Sequence, residues 1–259
     1  MQEEEFDRGP EQEPVKKKEK KKRGKKKWIL ISVAAVLLIL TGAMLIYLLT
    51  YYHADPSALQ ALNSDGSVRV EETDYGWYFD GPSETDALVF YPGGRVEETA
   101  YAPLLHLLAE RGMDVCLVKM PFRLAVFGSG RAEDVMKEYN YSNWYIGGHS
   151  MGGAFAAFYV AKHEADFRGL VLLGAYSTKP IGKDVPVLMI YGSEDQVVRK
   201  EKLEEGKKLA ENCKELCIAG GNHAQFGNYG VQKGDGESTI SAEEQQRQTV
   251  DFIAATFLH

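Results

Sequence analysis

The chain has 259 residues, of which 44% are hydrophobic and 26% are charged, with a formal net charge of −7. This composition is typical of a globular protein and excludes fibrous and largely disordered classes. The charge is uneven: residues 1–27 hold 11 basic and 7 acidic side chains, a net of +4, so the remainder carries −11. Because an acidic body repels phosphate backbones, the sequence predicts no nucleic-acid partner.

The N-terminal region predicts a membrane anchor. Residues 1–27 are polar and rich in Lys and Glu, a composition typical of disorder. Residues 28–50 carry no charged side chain, and as a helix they would span roughly 34 Å, enough for a hydrocarbon core of about 30 Å. A cleaved signal peptide is the alternative, but its apolar run is usually shorter, about 7–15 residues, and precedes small residues. The length of this run favours an uncleaved transmembrane helix.

The basic cluster before this helix predicts its orientation. Ten Lys and Arg side chains lie between Lys16 and Lys27. The positive-inside bias places the N-terminus in the cytoplasm and the body of the protein outside the cell membrane. We expect membrane lipid to contact residues 28–50 and anionic headgroups to contact the lysine cluster.

The rest of the chain predicts one domain of alternating strands and helices. Residues 51–66, with the breakers Asp55-Pro56 and Asp65-Gly66, are expected to form a stalk, and residues 67–259 a single domain. The apolar patterns predict strands at 68–73, 76–79, 87–91, 114–120, 144–147, 169–173, 185–191 and 215–219, and helices at 97–111, 124–139, 151–163, 199–211 and 241–257. This alternation indicates an α/β fold with a mostly parallel central sheet covered by helices on both faces. In such sheets the site lies at the carboxyl ends of the strands.

A serine motif follows one of these strands. The residues Gly148-His149-Ser150-Met151-Gly152 match G-x-S-x-G, with an apolar strand before them and an Ala-rich helix after them. A serine on such a sharp turn exposes its hydroxyl, and the glycines avoid collisions with strand and helix. Ser150 is therefore the candidate nucleophile. The alternative is a Gly-rich turn with a serine cap.

A serine hydroxyl needs a base, and the base needs an acid to orient it. Of the six histidines, only His223 lies just beyond the end of a late predicted strand. Asp195 follows the strand before it, with Glu194 as the alternative acid. The chain order of nucleophile, acid and base is the order that this triad takes on an α/β-hydrolase sheet. A loop histidine and a solvated turn carboxylate are the alternative interpretations.

The developing oxyanion needs backbone N–H donors. We expect one from Met151, directly after the nucleophile, and the other from the turn after the strand at 87–91, where Gly94 is the preferred residue and Arg95 its alternative. A simple tight turn is the competing interpretation of that segment.

Residues 67–259 resemble the α/β-hydrolase superfamily. The resemblance rests on YPGGRVEETAY, VKMPF, GGHSMGG, YGSEDQVV and GGNHAQFGNYG, and the chain looks similar to a compact bacterial branch of dienelactone-hydrolase-like size. It implies a nucleophile at Ser150, an acid at Asp195 and a base at His223. Only about ten residues separate Ala175 from Val185, where many members of the superfamily insert a cap domain. The pocket is therefore expected to be open, unless residues 226–240 fold over it.

The sequence predicts no cofactor and no metal site, because no Cys/His spacing suggests zinc. Cys213 and Cys217 would form a disulfide only if a turn brought them together. The preferred function is hydrolysis of a small-molecule ester through an acyl-enzyme, and an amidase or acyltransferase would use the same residues. Two other classes remain: a non-catalytic binding ectodomain, and a membrane-organising protein that depends on its lysine tail.

Overall fold

The computed structural model describes residue 9 and residues 16–258, and the prediction of disorder for residues 1–27 falls partly outside them. The chain forms two compact units, Met1–Leu49 and Thr50–His259. Within its described residues, the first unit forms one helix, α1, over Lys16–Leu49. It begins twelve residues before the predicted start at Trp28, because Lys and Glu are good helix formers and extend a helix that the apolar residues nucleate. The helix thus includes the basic segment from Lys16 onward.

The helix contains one candidate membrane span, Lys25–Leu49, with a mean hydropathy of 2.8. Its length and composition suffice to cross a bilayer, and a signal sequence near an N-terminus meets the same criteria.

The second unit is built on an eight-stranded sheet. The strands are β1 Arg69–Thr73, β2 Gly76–Asp80, β3 Asp86–Tyr91, β4 Asp114–Val118, β5 Asn143–His149, β6 Gly169–Leu173, β7 Val187–Gly192 and β8 Cys213–Ile218. Their order is β1-β2-β4-β3-β5-β6-β7-β8. The pairs β1–β2 and β2–β4 are antiparallel. All other neighbouring pairs, from β4–β3 to β7–β8, are parallel. The predicted α/β fold with a mostly parallel sheet is confirmed: the sheet is mixed, with two antiparallel and five parallel pairs.

Helices cover both faces of the sheet. They are α2 Pro56–Gln60, α3 Ala102–Glu110, α4 Arg131–Glu138, α5 Met151–Val160, α6 Lys200–Leu209 and α7 Ala242–Phe257. Apolar side chains of α3 and α7 pack on one face, and those of α4 and α5 pack on the other. The central strands are buried on both sides, which explains why their sequences are continuous apolar runs rather than alternating ones.

Two predictions of local structure were wrong. The expected stalk at 51–66 belongs to the second unit, because Tyr52 pairs with Val96 and the Asp55 N–H donates to the Asn228 carbonyl. The predicted helix at 124–139 is shorter, because glycines at 128 and 130 interrupt it. Its first part forms a 3-10 turn over Ala125–Phe127, and another 3-10 turn, Pro121–Arg123, precedes it.

The disulfide considered for Cys213 and Cys217 does not form. Both thiols are free and lie on the single strand β8. Residues four apart along a strand are separated by roughly 13 Å, well beyond the reach of a disulfide.

Candidate active site

Ser150 occupies the sharp turn between β5 and α5. Its backbone has φ 53° and ψ −120°, a conformation that a residue with a side chain adopts only when its surroundings impose it. The surroundings here are tight: a Cβ on Gly148 would lie 2.5 Å from the Tyr91 carbonyl oxygen, and one on Gly152 would lie 2.2 Å from it. The two glycines of the motif are therefore required because β3 passes directly beside the turn.

His223 and Asp195 form a buried hydrogen-bonded pair. Nδ1 of His223 lies 2.8 Å from Oδ2 of Asp195, and both side chains are almost completely buried. The other oxygen of Asp195 accepts the N–H groups of Val197 and Val198, each at 2.9 Å. Because a carboxylate can only accept, Nδ1 of His223 is the donor of this bond, and Nε2 is the ring nitrogen left to accept a proton from another group. That Nε2 has no hydrogen-bond partner among the described residues.

The neighbouring carboxylate, Glu194, accepts from the Ser193 hydroxyl at 2.8 Å and makes no contact of this kind with His223. The geometry therefore selects Asp195 over Glu194 as the partner of the imidazole.

Ser150, Met151 and His223 line the same cavity, which has a volume of about 330 Å³. Small and apolar groups form most of its remaining wall: Ala154, Gly174, Ala175, Tyr176, Thr178, Val197, Val198 and Arg199. No residue of the 226–240 segment is among these lining residues. That segment lines a separate cavity with Asp55 and Ala242.

Gly174 supports the pair from the end of β6, a role that the sequence analysis missed. Its φ is +50°, and a Cβ there would lie 2.8 Å from Nδ1 of His223 and 3.2 Å from Oδ2 of Asp195. Any side chain would therefore press on the bond that orients the imidazole. The position directly after a buried strand was the available indication in the sequence.

The two expected oxyanion donors lie side by side. A Cβ on Gly94 would lie 3.0 Å from Sδ and 3.3 Å from Cβ of Met151. The N–H groups that flank Gly94 are already used: Gly93 donates to the Tyr101 hydroxyl at 3.0 Å, and Arg95 donates to the Arg123 carbonyl at 2.9 Å. The N–H groups of Gly94 and Met151 have no acceptor within the described part of the chain. This arrangement favours Gly94 over Arg95 as the second donor.

A second buried histidine, His149, lies beside the pair. Its ring centroid is 4.4 Å from that of His223, and its Nδ1 is 2.8 Å from the Tyr101 hydroxyl. Since this hydroxyl accepts from Gly93, its own proton is available for Nδ1. Burial, with the nearby His223 charge as a smaller cause, holds the pKa of His149 well below its usual value. A neutral ring thus connects the Gly93-Gly94 turn to the serine turn.

One cluster outside the site has metal-ligating side chains. Atoms of Asp65, His106 and Glu110 lie within 4.8 Å of one another. The same groups bond to protein partners: Nδ1 of His106 to the Ala61 carbonyl, and one Asp65 oxygen to the N–H groups of Ser67 and Val68.

Comparisons with known proteins agree with this architecture. A model described as the alpha/beta hydrolase family matches residues 87–247. No curated protein matches the chain. A CIB-like hydrolase from Thermoplasma acidophilum is 16% identical, with a TM-score of 0.56, over 73% of this chain and 100% of its own. Est1E from Butyrivibrio proteoclasticus is 15% identical, with a TM-score of 0.52, over 75% and 100%. A membrane phospholipase A described as a bacterial virulence factor is 13% identical, with a TM-score of 0.55, over 90% and 100%. At these identities the likeness concerns the fold.

Proposed function

Because the chain belongs to the alpha/beta hydrolase family, we propose that it is a serine hydrolase of carboxylic esters. Ser150 is the nucleophile, His223 the general base and Asp195 the carboxylate that orients the base. One observation carries the proposal: a buried carboxylate holds the imidazole at Nδ1, Nε2 has no partner among the described residues, and His223 lines the same cavity as Ser150. This is the arrangement that a base needs to remove a serine proton.

The chemistry follows from these positions. Ser150 Oγ attacks the ester carbonyl carbon while Nε2 of His223 takes its proton, and the carbonyl oxygen becomes an oxyanion. The N–H groups of Met151 and Gly94 bind that oxyanion. When the intermediate collapses, the C–O bond to the alcohol breaks and the imidazolium returns the proton to the departing alkoxide. Water, deprotonated by the same imidazole, then attacks the acyl-enzyme and releases the acid and free Ser150.

The wall of the cavity supports an apolar acyl group. Met151, Ala154, Ala175 and Val197 contribute apolar surface beside Ser150. A thioesterase domain, a membrane phospholipase A and a putative lipase are among the proteins of similar fold. An amidase or acyltransferase would use the same triad, so the choice of ester rests on substrate tests.

We further propose that the helix anchors the protein in the cell membrane. The span Lys25–Leu49 supports this proposal by its length and hydropathy, and the basic cluster before it supports a cytoplasmic N-terminus and an extracytoplasmic catalytic unit. Selective thiol labelling of intact cells at exposed Cys217 tests the orientation. We expect an impermeant reagent to label Cys217 in intact cells. Labelling only after lysis would indicate the opposite orientation.

The proposed reaction is tested with soluble p-nitrophenyl esters and matched anilides. We expect the wild-type chain to hydrolyse the esters much faster, and Ser150→Ala and His223→Ala to lower kcat by roughly 10³–10⁶-fold, with the thermal midpoint unchanged in Ser150→Ala. Faster hydrolysis of the anilide would assign an amidase. Ester hydrolysis that persists in Ser150→Ala would exclude this serine as the nucleophile, and no activity in a folded wild-type sample would favour the binding ectodomain.

A further inference from the structure

An exposed apolar surface follows strand β4, on the two 3-10 turns that lead toward α4. We call it the β4 patch, and it consists of Phe122, Val126 and Phe127, whose exposed fractions are 60%, 52% and 58%. The rings of the two phenylalanines meet edge to face, with centroids 5.7 Å apart. A contiguous exposed group of large apolar side chains indicates an interaction surface more strongly than scattered single ones do.

The backbone holds this patch outward. Phe122 and Arg123 have φ of 53° and 57°, in the left-handed region that residues with side chains avoid. Two hydrogen bonds fix the turn: the Arg123 N–H donates to the Met120 carbonyl, and the Arg123 carbonyl accepts from Arg95, both at 2.9 Å. The exposure of Phe122 is therefore imposed by the fold.

The patch lies at the same edge of the sheet as the Ser150 cavity. It follows β4 at the carboxyl edge of the parallel strands, the edge at which Ser150 also lies. Arg95, which binds the Arg123 carbonyl, is adjacent in the chain to Gly94, and Gly94 packs against Met151. The turn Ala125–Phe127 packs against α5, the helix that begins at Met151. A surface that approached the patch would thus also approach the oxyanion side of the cavity.

The patch also lies beside the residues that directly follow the apolar helix. The Arg123 guanidinium lies 3.5 Å from the ring centroid of Tyr51, and Nε of Arg95 donates to the Thr50 carbonyl at 2.8 Å. The candidate span ends at Leu49. Since one residue extends the chain by at most about 3.6 Å, a bilayer crossed by this span has its surface within roughly 10 Å of Tyr51. This limit follows from chain connectivity alone.

The charges around the patch suit a lipid surface. A cavity beside Phe122 is lined by Lys119, Arg123 and Arg131 against the carboxylates of Asp74 and Glu98. Its net charge is +1, in a chain whose residues 28–259 carry −11. Aromatic rings with adjacent cations are typical of surfaces that enter the headgroup region of an anionic bilayer.

We propose that the β4 patch docks on the bilayer in which the N-terminal helix is anchored, and that the Ser150 cavity acts on acyl esters of lipids in that bilayer. The substrate part rests on the proposed serine hydrolase function. The docking part requires only the anchor and the patch, so the two parts have separate tests.

Docking is tested on the full chain in a catalytically inert background, Ser150→Ala with Cys213→Ser and Cys217→Ser, which leaves only the buried Cys116 thiol. An environment-sensitive fluorophore is attached at Phe127→Cys or, as the matched control, at Leu59→Cys, which replaces another exposed apolar residue. The protein is reconstituted into vesicles of phosphatidylcholine and phosphatidylglycerol. We expect lipids with brominated acyl chains to quench the label at 127 several-fold more than the label at 59. Equal quenching of the two labels would overturn docking. It would also be overturned if the fluorescence of the label at 127 changed with the amount of protein per vesicle and not with brominated lipid, because the label would then contact a second protein molecule.

The substrate is tested with Phe127→Ser and the matched Leu59→Ser, each assayed on a fluorogenic phospholipid in the same vesicles and on soluble p-nitrophenyl butyrate. Phe127→Ser removes an aromatic ring that docking would bury in the bilayer, and it is expected to reduce hydrolysis of the vesicle lipid by about tenfold. The rate on the soluble ester should change less than about twofold, and Leu59→Ser should affect neither rate. A wild-type chain that hydrolyses the soluble ester but not the vesicle lipid would overturn the lipid substrate and leave the proposed function standing. Failure on both substrates would contradict the proposed function itself, and the quenching experiment would still decide the docking.

Discussion

Two aspartates are buried at opposite ends of the sheet, and they differ in where their hydrogen bonds lead. At the carboxyl end, Asp195 accepts from two backbone N–H groups and from Nδ1 of His223, whose other nitrogen has no partner among the described residues. At the amino end of β4, Asp114 accepts from the Gly81 N–H at 2.8 Å and from the Tyr141 hydroxyl, with the Tyr78 hydroxyl at 3.4 Å.

The difference distinguishes the carboxylate that we propose to be catalytic from a structural one. The donors of Asp114 are a backbone amide and phenols that also bond to each other, so its network ends within the fold. Without a cationic partner, burial raises the pKa of Asp114 to about 6. The network of Asp195 instead ends at Nε2 of His223, which has no partner among the described residues, and His223 lines one cavity with Ser150. Both aspartates are buried, so they differ in what their hydrogen-bond networks reach.

The largest expected effect comes from exchanging each aspartate for its amide. Asp195→Asn should lower kcat for a soluble ester by roughly 10³–10⁴-fold, because an amide can donate to Nδ1 and stabilise the wrong tautomer of His223. Asp114→Asn should leave kcat within about twofold. Steady-state kinetics of the two variants measures both effects. Equal losses of kcat would contradict the different roles assigned to Asp195 and Asp114.

The glycines beside the two carboxylates give a smaller contrast. Gly174→Ala should lower kcat by about 10²-fold, because its methyl group would contact the His223–Asp195 bond at a φ of +50°. The matched control is Gly81→Ala, whose methyl group would lie 2.2 Å from the Ala109 carbonyl oxygen and 3.3 Å from Asp114. We expect it to lower the thermal midpoint while the remaining folded enzyme keeps its kcat. A full kcat in Gly174→Ala would contradict the assigned contact.

Removal of the Tyr101 hydroxyl is expected to have a moderate effect on kcat. Tyr101→Phe removes the bonds to Gly93 and His149, so the oxyanion turn loses its connection to the serine turn. We expect kcat to fall about tenfold with KM nearly unchanged, since the donors act in the transition state. The control is Tyr229→Phe, which removes the hydroxyl of another buried tyrosine and should change neither kcat nor KM. A change in KM alone would argue against the positioning role.

The smallest effect is a pH-dependent stability at the amino end. The pKa of Asp114 is raised from 3.8 to about 6, so the folded state holds the proton more tightly than the unfolded state. Its contribution is therefore complete below pH 3.8 and is lost as the pH rises through about 6. Between these limits the free energy of unfolding should fall by about 1–2 kcal/mol relative to Asp114→Asn. Urea unfolding of the wild type and of Asp114→Asn at several pH values measures this difference. Equal dependence of the two free energies on pH would contradict the raised pKa.

The sequence indicated which residues meet at the carboxyl end of the sheet better than it indicated the contacts of the periphery. Ser150 directly follows the buried apolar strand β5, Asp195 comes three residues after β7, and His223 comes five residues after the partly exposed β8. Their order along the chain was enough to propose the three residues. The segment 51–66 was assigned to a stalk because its partners, Val96 and Asn228, are remote in sequence. Tyr101 was missed for the same reason, since 48 residues separate it from His149. Contacts of this kind arise from tertiary packing and leave no local pattern.

The central claim is that Ser150 is an activated nucleophile, and fluorophosphonate labelling of the full chain tests it most directly. Intact mass and peptide mapping of the wild type, His223→Ala and Asp114→Asn would be compared. We predict a single adduct on Ser150 in the wild type and in Asp114→Asn, and its loss in His223→Ala. A folded wild-type protein that forms no adduct, or forms one equally well in His223→Ala, would contradict the account.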